Sequence, residues 1–316
     1  MTQNTTVEVS SLQKSYGRVP VVKGIDFNIQ KGEVMGFLGP NGAGKTTTVL
    51  MLTTYLSPDN GTIKIGGKSM GNEKEHGAIQ RYIGYVPQEI SLYGELNSIE
   101  NLVFFGRLYG VKGPALKERT AKLLELVGLS EKSRQPVKQF SGGMQRRLNI
   151  ALALLHNPKF VILDEPTVGI DPQSRNRIFD IVNSLKNDGV SVLYITHYME
   201  EAQSLCDRVA IMDDGNIVAL DTIDGLLQTV AGRHVLNVEI DGWNEASNAE
   251  LKKKYAASEV GYSNGVLSVH ISDVKGVIPR LISDLYNTGL TVKKIDIKEP
   301  DLQQVFLQLT GKALRD

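Results

Sequence analysis

Gly39-Pro40-Asn41-Gly42-Ala43-Gly44-Lys45-Thr46-Thr47 is the stretch that decides the fold of this chain of 316 residues. It follows Val34–Leu38, a continuously apolar segment that predicts a buried central strand. A helix is expected to begin at Lys45 and to run through Leu52. A glycine-rich turn between a buried strand and a helix points backbone N–H groups at one place, where the positive helix end attracts anions. The stretch therefore predicts a phosphate-binding loop within an α/β domain.

The residues of this loop have different predicted roles in holding a nucleotide. Lys45 places a positive charge against the β- and γ-phosphates, and the hydroxyl of Thr46 is a ligand for Mg²⁺. The other predicted nucleotide-binding residues of the loop are Gly39, Asn41, Gly42, Gly44 and Thr47. The alternative is a glycine-rich turn that matches the pattern by chance, which the strand before it and the helix after it disfavour.

A second apolar segment, residues 160–163, ends in two carboxylates, Asp164 and Glu165. At the end of a strand, Asp164 can reach the ligand shell of a magnesium ion. Glu165 is predicted to act as a general base that polarises the attacking water, an effect that contributes about 10²–10⁴ in rate. A surface Asp-Glu pair is the alternative, but Pro166 and the apolar run argue against a helix face.

A further anion site is predicted where Ser141-Gly142-Gly143 opens a helix of residues 144–155. A serine N-cap followed by glycines leaves backbone amides exposed at the positive end of that helix. On the local sequence alone, an ordinary capped helix is the simpler interpretation.

The phosphate loop, the Ser-Gly-Gly helix start and the strand with two carboxylates, in this order, resemble the ATP-binding cassette (ABC) ATPases over roughly the first 220 residues. The resemblance implies ATP hydrolysis with Mg²⁺ by two subunits that dimerise on two ATP molecules. It also implies that Ser141, Gly142 and Gly143 contact the γ-phosphate held by the opposite subunit. Phe140 stands where the family usually has Leu, and Met144 where it often has Gln. Neither residue supplies the glycine amides, so we expect function to be preserved.

Four more residues match positions of the ABC family. By resemblance, Gln88 is the glutamine that senses Mg²⁺ and couples to the membrane partner, and His197 is the switch histidine near the γ-phosphate. Asp171 corresponds to the aspartate of the D-loop, and Tyr16 to the aromatic residue that stacks on adenine. Without the family match, Gln88 would be a surface amide, Tyr16 a packing aromatic, and His197 undecided. The predicted catalytic residues are Lys45, Glu165 and His197, and the predicted metal ligands are Thr46, Gln88 and Asp164.

The chain is long enough for two domains, and its pattern predicts them. Alternating strands and helices through residue 227 predict a mostly parallel α/β nucleotide-binding domain (1–227) with an inserted helical subdomain at about 90–157. Residues 228–316 follow the β-α-β-β-α-β order of a small α+β, ferredoxin-like domain, with one added helix. Its strands are predicted at 234–240, 259–262, 266–271 and 291–297, and its helices at 245–255, 274–286 and 301–309.

Composition limits the partners that the chain can have. Lys plus Arg and Asp plus Glu number 35 each, so no overall field points to nucleic acid or to an acidic membrane surface. Cys206 is the only cysteine, which excludes an intrachain disulfide and fits a cytosolic compartment. Neither a signal peptide nor an apolar run near the ~20 residues that span a bilayer is visible. We expect the chain to serve a membrane process from the cytoplasmic face, through a partner.

Two segments are similar to one branch of the family, the DrrA-type ATPase subunits of bacterial ABC-2 exporters. They are residues 196–202, Thr-His-Tyr-Met-Glu-Glu-Ala, and residues 299–311, Glu-Pro-Asp-Leu-Gln-Gln-Val-Phe-Leu-Gln-Leu-Thr-Gly. The likeness implies an ATPase that drives a separate membrane permease by alternating access and exports a drug-like or lipid-like molecule. The region of Gln88 and the helical subdomain would receive the permease. The C-terminal domain would stabilise or regulate the dimer or, as a second choice, bind cargo.

The main alternative is a soluble ABC ATPase that acts on ribosomes or DNA. Ribosome-acting members usually carry two cassettes, whereas this chain has one phosphate loop. Chromosome and repair members split the cassette around a very long coiled coil, which does not fit the spacing here. An importer ATPase is disfavoured by the DrrA-like ending, and a scaffold that binds but does not hydrolyse ATP is disfavoured by Glu165. The sequence predicts neither the exported molecule nor whether the second ATPase subunit is another copy of this chain.

Overall fold

The computed structural model describes residues 4–230, 234–243, 251, 254, 260–271, 274–298 and 301–311. The chain divides into two compact units, the first ending at Ile223 and the second comprising Asp224–Gly311. The domain boundary at residue 227 stays a prediction. That residue falls within a helix, Ile223–Thr229.

The elements of the first unit alternate between strands and helices along most of its length. Its strands are β1 (Thr5–Tyr16), β2 (Val19–Gln30), β3 (Val34–Leu38), β4 (Asn60–Ile65), β5 (Lys68–Ser69), β6 (Ile83–Val86), β7 (Phe160–Asp164), β8 (Ser191–Thr196), β9 (Arg208–Asp213) and β10 (Asn216–Thr222). Its helices are α1 (Lys45–Leu52), α2 (Glu73–Tyr82), α3 (Ser98–Leu108), α4 (Gly113–Leu126), α5 (Gly142–Ala153), α6 (Pro172–Asn187) and α7 (Met199–Leu205), with α8 (Ile223–Thr229) at the boundary.

A mostly parallel sheet forms the centre of the first unit. Its strand order is β10-β9-β3-β8-β7-β6, and each neighbouring pair except β10 with β9 is parallel. β3, β7 and β8 are buried along their whole length, which explains their largely apolar sequences. Because the carboxyl ends of parallel strands meet at one edge, the turns after β3, β6, β7 and β8 converge there.

An antiparallel sheet of order β2-β1-β4-β5 shares an apolar core with the parallel sheet. The core includes Leu12 from the antiparallel sheet and Phe37 from the parallel one. Helix α1, which begins at the phosphate loop, buries Val49 and Met51 in the same core. The loop is therefore anchored by buried structure on both of its sides.

The predicted helical subdomain contains α3, α4, a 3₁₀ turn at Val137–Gln139, and α5. α3 begins with a capping box, in which the Asn97 side chain accepts from the Glu100 N–H and the Glu100 carboxylate accepts from the Asn97 N–H. α5 (Gly142–Ala153) is capped by Ser141, as the sequence predicts, but it begins and ends two residues before the predicted helix of residues 144–155.

A larger difference in helix start is found at α6, for which the sequence pattern predicts residues 175–186. α6 instead begins at Pro172, because Asp171 caps it by accepting from the Ser174 N–H at 2.9 Å. Proline suits the first helical position, since it has no N–H to leave unpaired there.

The second unit has its own sheet, formed by β11 (His234–Asp241), β12 (Val260–Ser263), β13 (Val266–Ile271) and β14 (Thr291–Lys298). The strand order is β12-β13-β11-β14 with antiparallel neighbours. Helices α9 (Val274–Asn287) and α10 (Leu302–Thr310) belong to the same unit. At the positions that the structure describes, these elements agree with the predicted ferredoxin-like order. The helix predicted at 245–255 lies outside the described residues, apart from Leu251 and Lys254.

No helix in the part of the chain that the structure describes is long and apolar enough to cross a bilayer.

A chain that ends at Ile223 is expected to fold with a cooperative thermal transition. The main apolar cluster of the first unit runs from Val7 to Met212, and that of the second from Leu236 to Leu290, so the truncation removes no residue of the first cluster. Thermal unfolding followed by circular dichroism tests this. A product without a cooperative transition would contradict independent folding of the first unit.

Candidate active site

The phosphate loop joins β3 to α1, and its backbone requires glycine at two places. Gly44 has φ +101°, in the left-handed region, and a Cβ atom there would lie 2.7 Å from the Val21 carbonyl oxygen. At Gly39 a Cβ atom would lie 2.3 Å from the Met212 carbonyl oxygen. The loop is thus packed tightly against β2 and β9, which fixes the direction of its amides.

Lys45 is buried at the start of α1, and its ammonium group braces the loop. Nζ donates to the Gly39 carbonyl oxygen at 2.6 Å and to that of Pro40 at 3.0 Å. Burial lowers the pKa of Lys45, while the negative charges of Glu165 and Asp164 raise it. Because the ammonium group has three N–H donors, one is available beyond the two that the loop carbonyls use.

Asp164 ends β7 and is almost fully buried. Burial is the main cause that raises the pKa of Asp164, the charge of Glu165 adds to the increase, and Lys45 opposes it. The Tyr85 hydroxyl donates to Asp164 Oδ2 in a long contact of 3.5 Å. A cation beside this carboxylate would offset the cost of burying its charge.

Glu165 is held at both oxygens of its carboxylate. Gln88 Nε2 donates to Oε2 at 3.2 Å, and His197 Nδ1 is hydrogen-bonded to Oε1 at 3.2 Å. The Glu165 backbone has φ +47°, a conformation that costs a non-glycine residue about 1–3 kcal/mol. Its N–H donates to the Ile195 carbonyl oxygen at 3.0 Å. A carboxylate that is oriented by two neighbours is well placed to serve as a general base.

These groups line one cavity of about 490 Å³ at the carboxyl edge of the parallel sheet. Cavities of ~300–1,000 Å³ are the common size for small-molecule sites. The predicted site residues that the cavity brings together are Asn41, Gly42, Gly44, Lys45, Thr46, Thr47, Gln88, Asp164, Glu165 and His197. Its remaining lining residues are Val21, Pro40, Val168 and Tyr198.

The other predicted residues do not line this cavity. Gly39 lies at the base of the loop, where its carbonyl oxygen accepts from Lys45. Tyr16 ends β1 with its side chain about half exposed. Ser141, Gly142, Gly143 and Asp171 lie elsewhere, at the starts of α5 and α6.

The starts of α5 and α6 form a second cluster of predicted site residues. Ser141 caps α5 by accepting from the Met144 N–H at 3.3 Å, and Asp171 caps α6. A Cβ atom on Gly143 would lie 2.0 Å from Ser174 Oγ, so glycine is needed for the two helix starts to approach each other. The cluster presents helix-start amides, the kind of group that binds anions.

Arg146 does not line the cavity but supports the loop that carries Gln88, and it is not among the residues that the sequence predicts. It is 6% exposed and donates from Nη1 to the Pro87 carbonyl oxygen at 2.8 Å and from Nη2 to that of Gln88 at 2.6 Å. It thereby ties α5 to the loop that carries Gln88. Its spacing indicates that it is buried, because Arg146 lies three residues after Gly143 and four before Ile150, and both of these are on the buried face of α5.

Comparison with known proteins relates this geometry to a family. Residues 22–168 match the family model of the ABC transporter. The linearmycin resistance ATP-binding protein LnrL of Bacillus subtilis (strain 168) is 41% identical over 312 residues, which cover 98% of this chain and 100% of that protein. The daunorubicin/doxorubicin resistance ATP-binding protein DrrA of Streptomyces peucetius is 38% identical over 316 residues, or 98% of this chain and 94% of that protein. A solved dimeric, post-hydrolysis ATP-binding cassette with ADP and Pi has a TM-score of 0.62 and 27% identity, over 68% of this chain and 98% of that one.

Gly143→Ala and Gly142→Ala are a matched pair that tests the packing of the two helix starts. A methyl group at Gly143 would overlap Ser174, whereas at Gly142 no heavy atom beyond the local backbone lies within 4 Å. We expect the first change to destabilise the fold by about 1–3 kcal/mol and the second to alter stability by less than ~1 kcal/mol. Thermal unfolding measures this, as a fall in Tm of roughly 2–10 °C for Gly143→Ala only. Equal melting temperatures would contradict the close approach of α5 and α6.

Proposed function

Because this chain belongs to the family of ABC transporter ATP-binding proteins and is an ATPase, we propose that it drives the separate membrane permease of a bacterial exporter. One observation carries the catalytic part of the proposal. The Glu165 carboxylate is held between Gln88 and His197 in the same cavity that the phosphate loop lines. The proposed general base, its two hydrogen-bond partners and the phosphate loop therefore line one small cavity.

In the proposed reaction, water attacks the γ-phosphorus of ATP and Glu165 accepts the proton that the water loses. The bond from the γ-phosphorus to the bridging oxygen breaks, which gives ADP and phosphate. Lys45 and the loop amides hold the β- and γ-phosphates, and Tyr16 stacks on adenine. The hydrogen bonds from Gln88 and His197 keep the two Glu165 oxygens from rotating away from the water.

Thr46, Gln88 and Asp164 are the residues proposed to hold Mg²⁺. All three line the cavity, and each offers an oxygen ligand, which this hard cation prefers. The burial that raises the pKa of Asp164 supports the fit, because a nearby cation offsets the cost of desolvating a carboxylate. When bound, the ion would neutralise charge on the β- and γ-phosphate oxygens.

A second ATPase subunit is part of the proposal. Ser141, Gly142 and Gly143 present the start of α5 but do not line the cavity of their own chain. An anion-binding helix start that lies apart from its own phosphate loop is suited to the γ-phosphate on another subunit. The likeness to a dimeric cassette with ADP and Pi supports the same arrangement. Asp171, beside this helix start, would lie in the same contact.

The permease is proposed to dock in a groove beside the Gln88 loop. A cavity of about 600 Å³ there is lined mainly by aromatic and aliphatic side chains, among them Tyr55, Tyr85, Pro87, Phe105 and Tyr109. Tyr55 is 80% exposed, and exposed aromatic side chains in a groove are typical of protein contacts. Pro87 lines this groove, and the next residue, Gln88, lines the nucleotide cavity. A short amphipathic segment of the permease seated there would act directly on the loop that contacts Glu165.

The same relatives support a proposal for the place of action and for the cargo. The permease would hold the chain at the cytoplasmic face of the membrane. Relatives named for resistance to linearmycin and to daunorubicin/doxorubicin support a drug-like or lipid-like exported molecule. The alternative of an ATPase that acts on ribosomes or DNA receives no support from these relatives. For residues 228–316 we retain stabilisation or regulation of the dimer as the proposed role.

Lys45→Ala removes the cation that is proposed to contact the phosphates. We expect ATP affinity to fall roughly tenfold to hundredfold, because a hydrogen bond to a charged group contributes about 1.5–3 kcal/mol. Titration with a fluorescent ATP analogue measures the affinity. Lys31→Ala, at an exposed lysine that does not line the cavity, is the control. Unchanged binding and hydrolysis in Lys45→Ala would contradict the assigned role.

Glu165→Gln keeps the size of the side chain but removes the base. Hydrolysis is expected to fall about 10²–10⁴-fold while ATP binding is retained, so that closed dimers accumulate with ATP and Mg²⁺. Size-exclusion chromatography with light scattering detects the dimer. If only monomer forms, either the base assignment or the two-subunit arrangement is wrong, or closure requires the permease.

The same Glu165→Gln protein, purified from detergent-solubilised native cells with ATP and Mg²⁺, tests the transport proposal. Co-purification of one or two multi-span permeases is expected, and mass spectrometry identifies them. Ribosomal or DNA-repair proteins in the absence of any permease would contradict transport and leave the ATPase chemistry standing.

A further inference from the structure

Glu201, on α7, is a buried carboxylate that the reaction described above does not use. It is 2% exposed and does not line the nucleotide cavity. Its Oε2 atom accepts hydrogen bonds from Thr167 Oγ1 at 2.8 Å, Tyr194 OH at 2.9 Å and Thr196 Oγ1 at 3.2 Å. Three hydroxyl groups from two separate chain segments therefore meet on one oxygen atom.

Two of these hydroxyl groups flank the proposed catalytic residues. Thr167 lies two residues after Glu165, and Thr196 lies directly before His197. The Thr196 hydroxyl also accepts from the Tyr198 N–H at 3.0 Å, so it holds the chain on both sides of His197. Glu201 thus connects the segment that carries the base with the segment that carries the switch histidine.

Packing alone does not explain a carboxylate at this position. Met199, Ala202 and Leu205 already supply the apolar buried face of α7. Within the part of the chain that the structure describes, no donor reaches the second oxygen of Glu201, Oε1. A buried carboxylate with one unpaired oxygen is costly compared with an apolar side chain of similar size. The hydrogen bonds that Glu201 accepts from three hydroxyl groups explain the presence of a carboxylate better than packing does.

We propose that Glu201 is a positioning residue for ATP hydrolysis. One of its carboxylate oxygens holds Thr167 and Thr196, and these two residues in turn keep Glu165 and His197 in contact. The inference rests on the proposed roles of Glu165 and His197. Their direct contact of 3.2 Å is the distance that this anchoring would maintain. A displacement of about 1 Å at reacting groups can lower a rate roughly a hundredfold. Thr196 is one residue from His197 and Thr167 is two residues from Glu165, so a shift of either threonine would displace a reacting group.

Glu201→Gln in the full-length chain removes the charge with little change of shape. Glu200→Gln is the matched control, because Glu200 is an exposed glutamate on the same helix. We expect Glu201→Gln to lower kcat roughly tenfold to hundredfold with KM for ATP within about twofold, and Glu200→Gln to leave both unchanged. Titration of bound ATP analogue corrects kcat for any inactive fraction.

A second pair of variants separates positioning from simple stabilisation. Thr167→Val and Tyr194→Phe each remove one buried hydroxyl from the same Oε2 atom. Thr167 lies beside the base, whereas Tyr194 lies within β8. We expect Thr167→Val to lower kcat about tenfold more than Tyr194→Phe at a similar loss of Tm. Losses of kcat that only follow the losses of Tm would overturn the positioning role.

Hydrolysis by Glu165→Gln, measured in the same assay, distinguishes a failure of the base assignment from a failure of the positioning role of Glu201. If Glu165→Gln abolishes hydrolysis but Glu201→Gln and Thr167→Val stay within about twofold of the native kcat, the role of Glu201 is overturned and the base assignment stands. If Glu165→Gln itself hydrolyses ATP at the native rate, the base assignment fails and the positioning role fails with it.

Discussion

The parallel pairing of β3, β8 and β7 is the constraint on which the nucleotide site depends. Leu38 is paired with Thr196, and Asp164 with Ile195, so these three strands end side by side. The phosphate loop, Glu165 and His197 follow directly from those strand ends, although they are far apart in sequence. A register slip of one residue in any of the three strands would turn its side chains to the opposite face. Burial of the strands on both faces makes such a slip costly, and it thereby fixes the site.

Several features at this edge of the sheet cost stability, and each has a partner that offsets the cost. Glu165 has a left-handed backbone, but its N–H is bonded to Ile195 and its carboxylate is held at both oxygens. Lys45 and Asp164 are buried, and each moderates the pKa shift that burial causes in the other. Strained or buried groups of this kind persist where several surrounding contacts hold them in place. Lys45, Asp164 and Glu165 line the same cavity, so the contacts that offset these costs also hold the candidate site together.

The sequence predicted the parts of the site that depend on local signals. The glycine loop, the strand that ends in Asp164 and the Ser141 cap are each defined by a few neighbouring residues, and all lie in the predicted elements. α2 has a local start signal, the Asn72 cap with Glu73 and Glu75 in the first turn, but only Ile79 of that helix is buried, so it lacks a wide apolar face. Arg146 was not singled out, because its hydrogen-bond partners, Pro87 and Gln88, lie on a segment distant in sequence. Glu201 was not singled out either, because its contact with Thr167, 34 residues away, depends on the tertiary fold. The roles of individual site residues stay predictions.

Arg146 shows why both proposed partners of this chain would act on the same carboxylate. It lies on α5, whose start presents the Ser-Gly-Gly amides that are proposed to meet the second subunit. Its guanidinium group holds the carbonyl oxygens of Pro87, which lines the aromatic groove, and of Gln88, which bonds Glu165. A displacement of α5 by the second subunit, or of the Pro87 loop by the permease, would therefore move the Gln88 amide relative to Glu165. Since directional hydrogen bonds weaken steeply with misalignment, a small displacement is enough to change the orientation of Glu165, the proposed base.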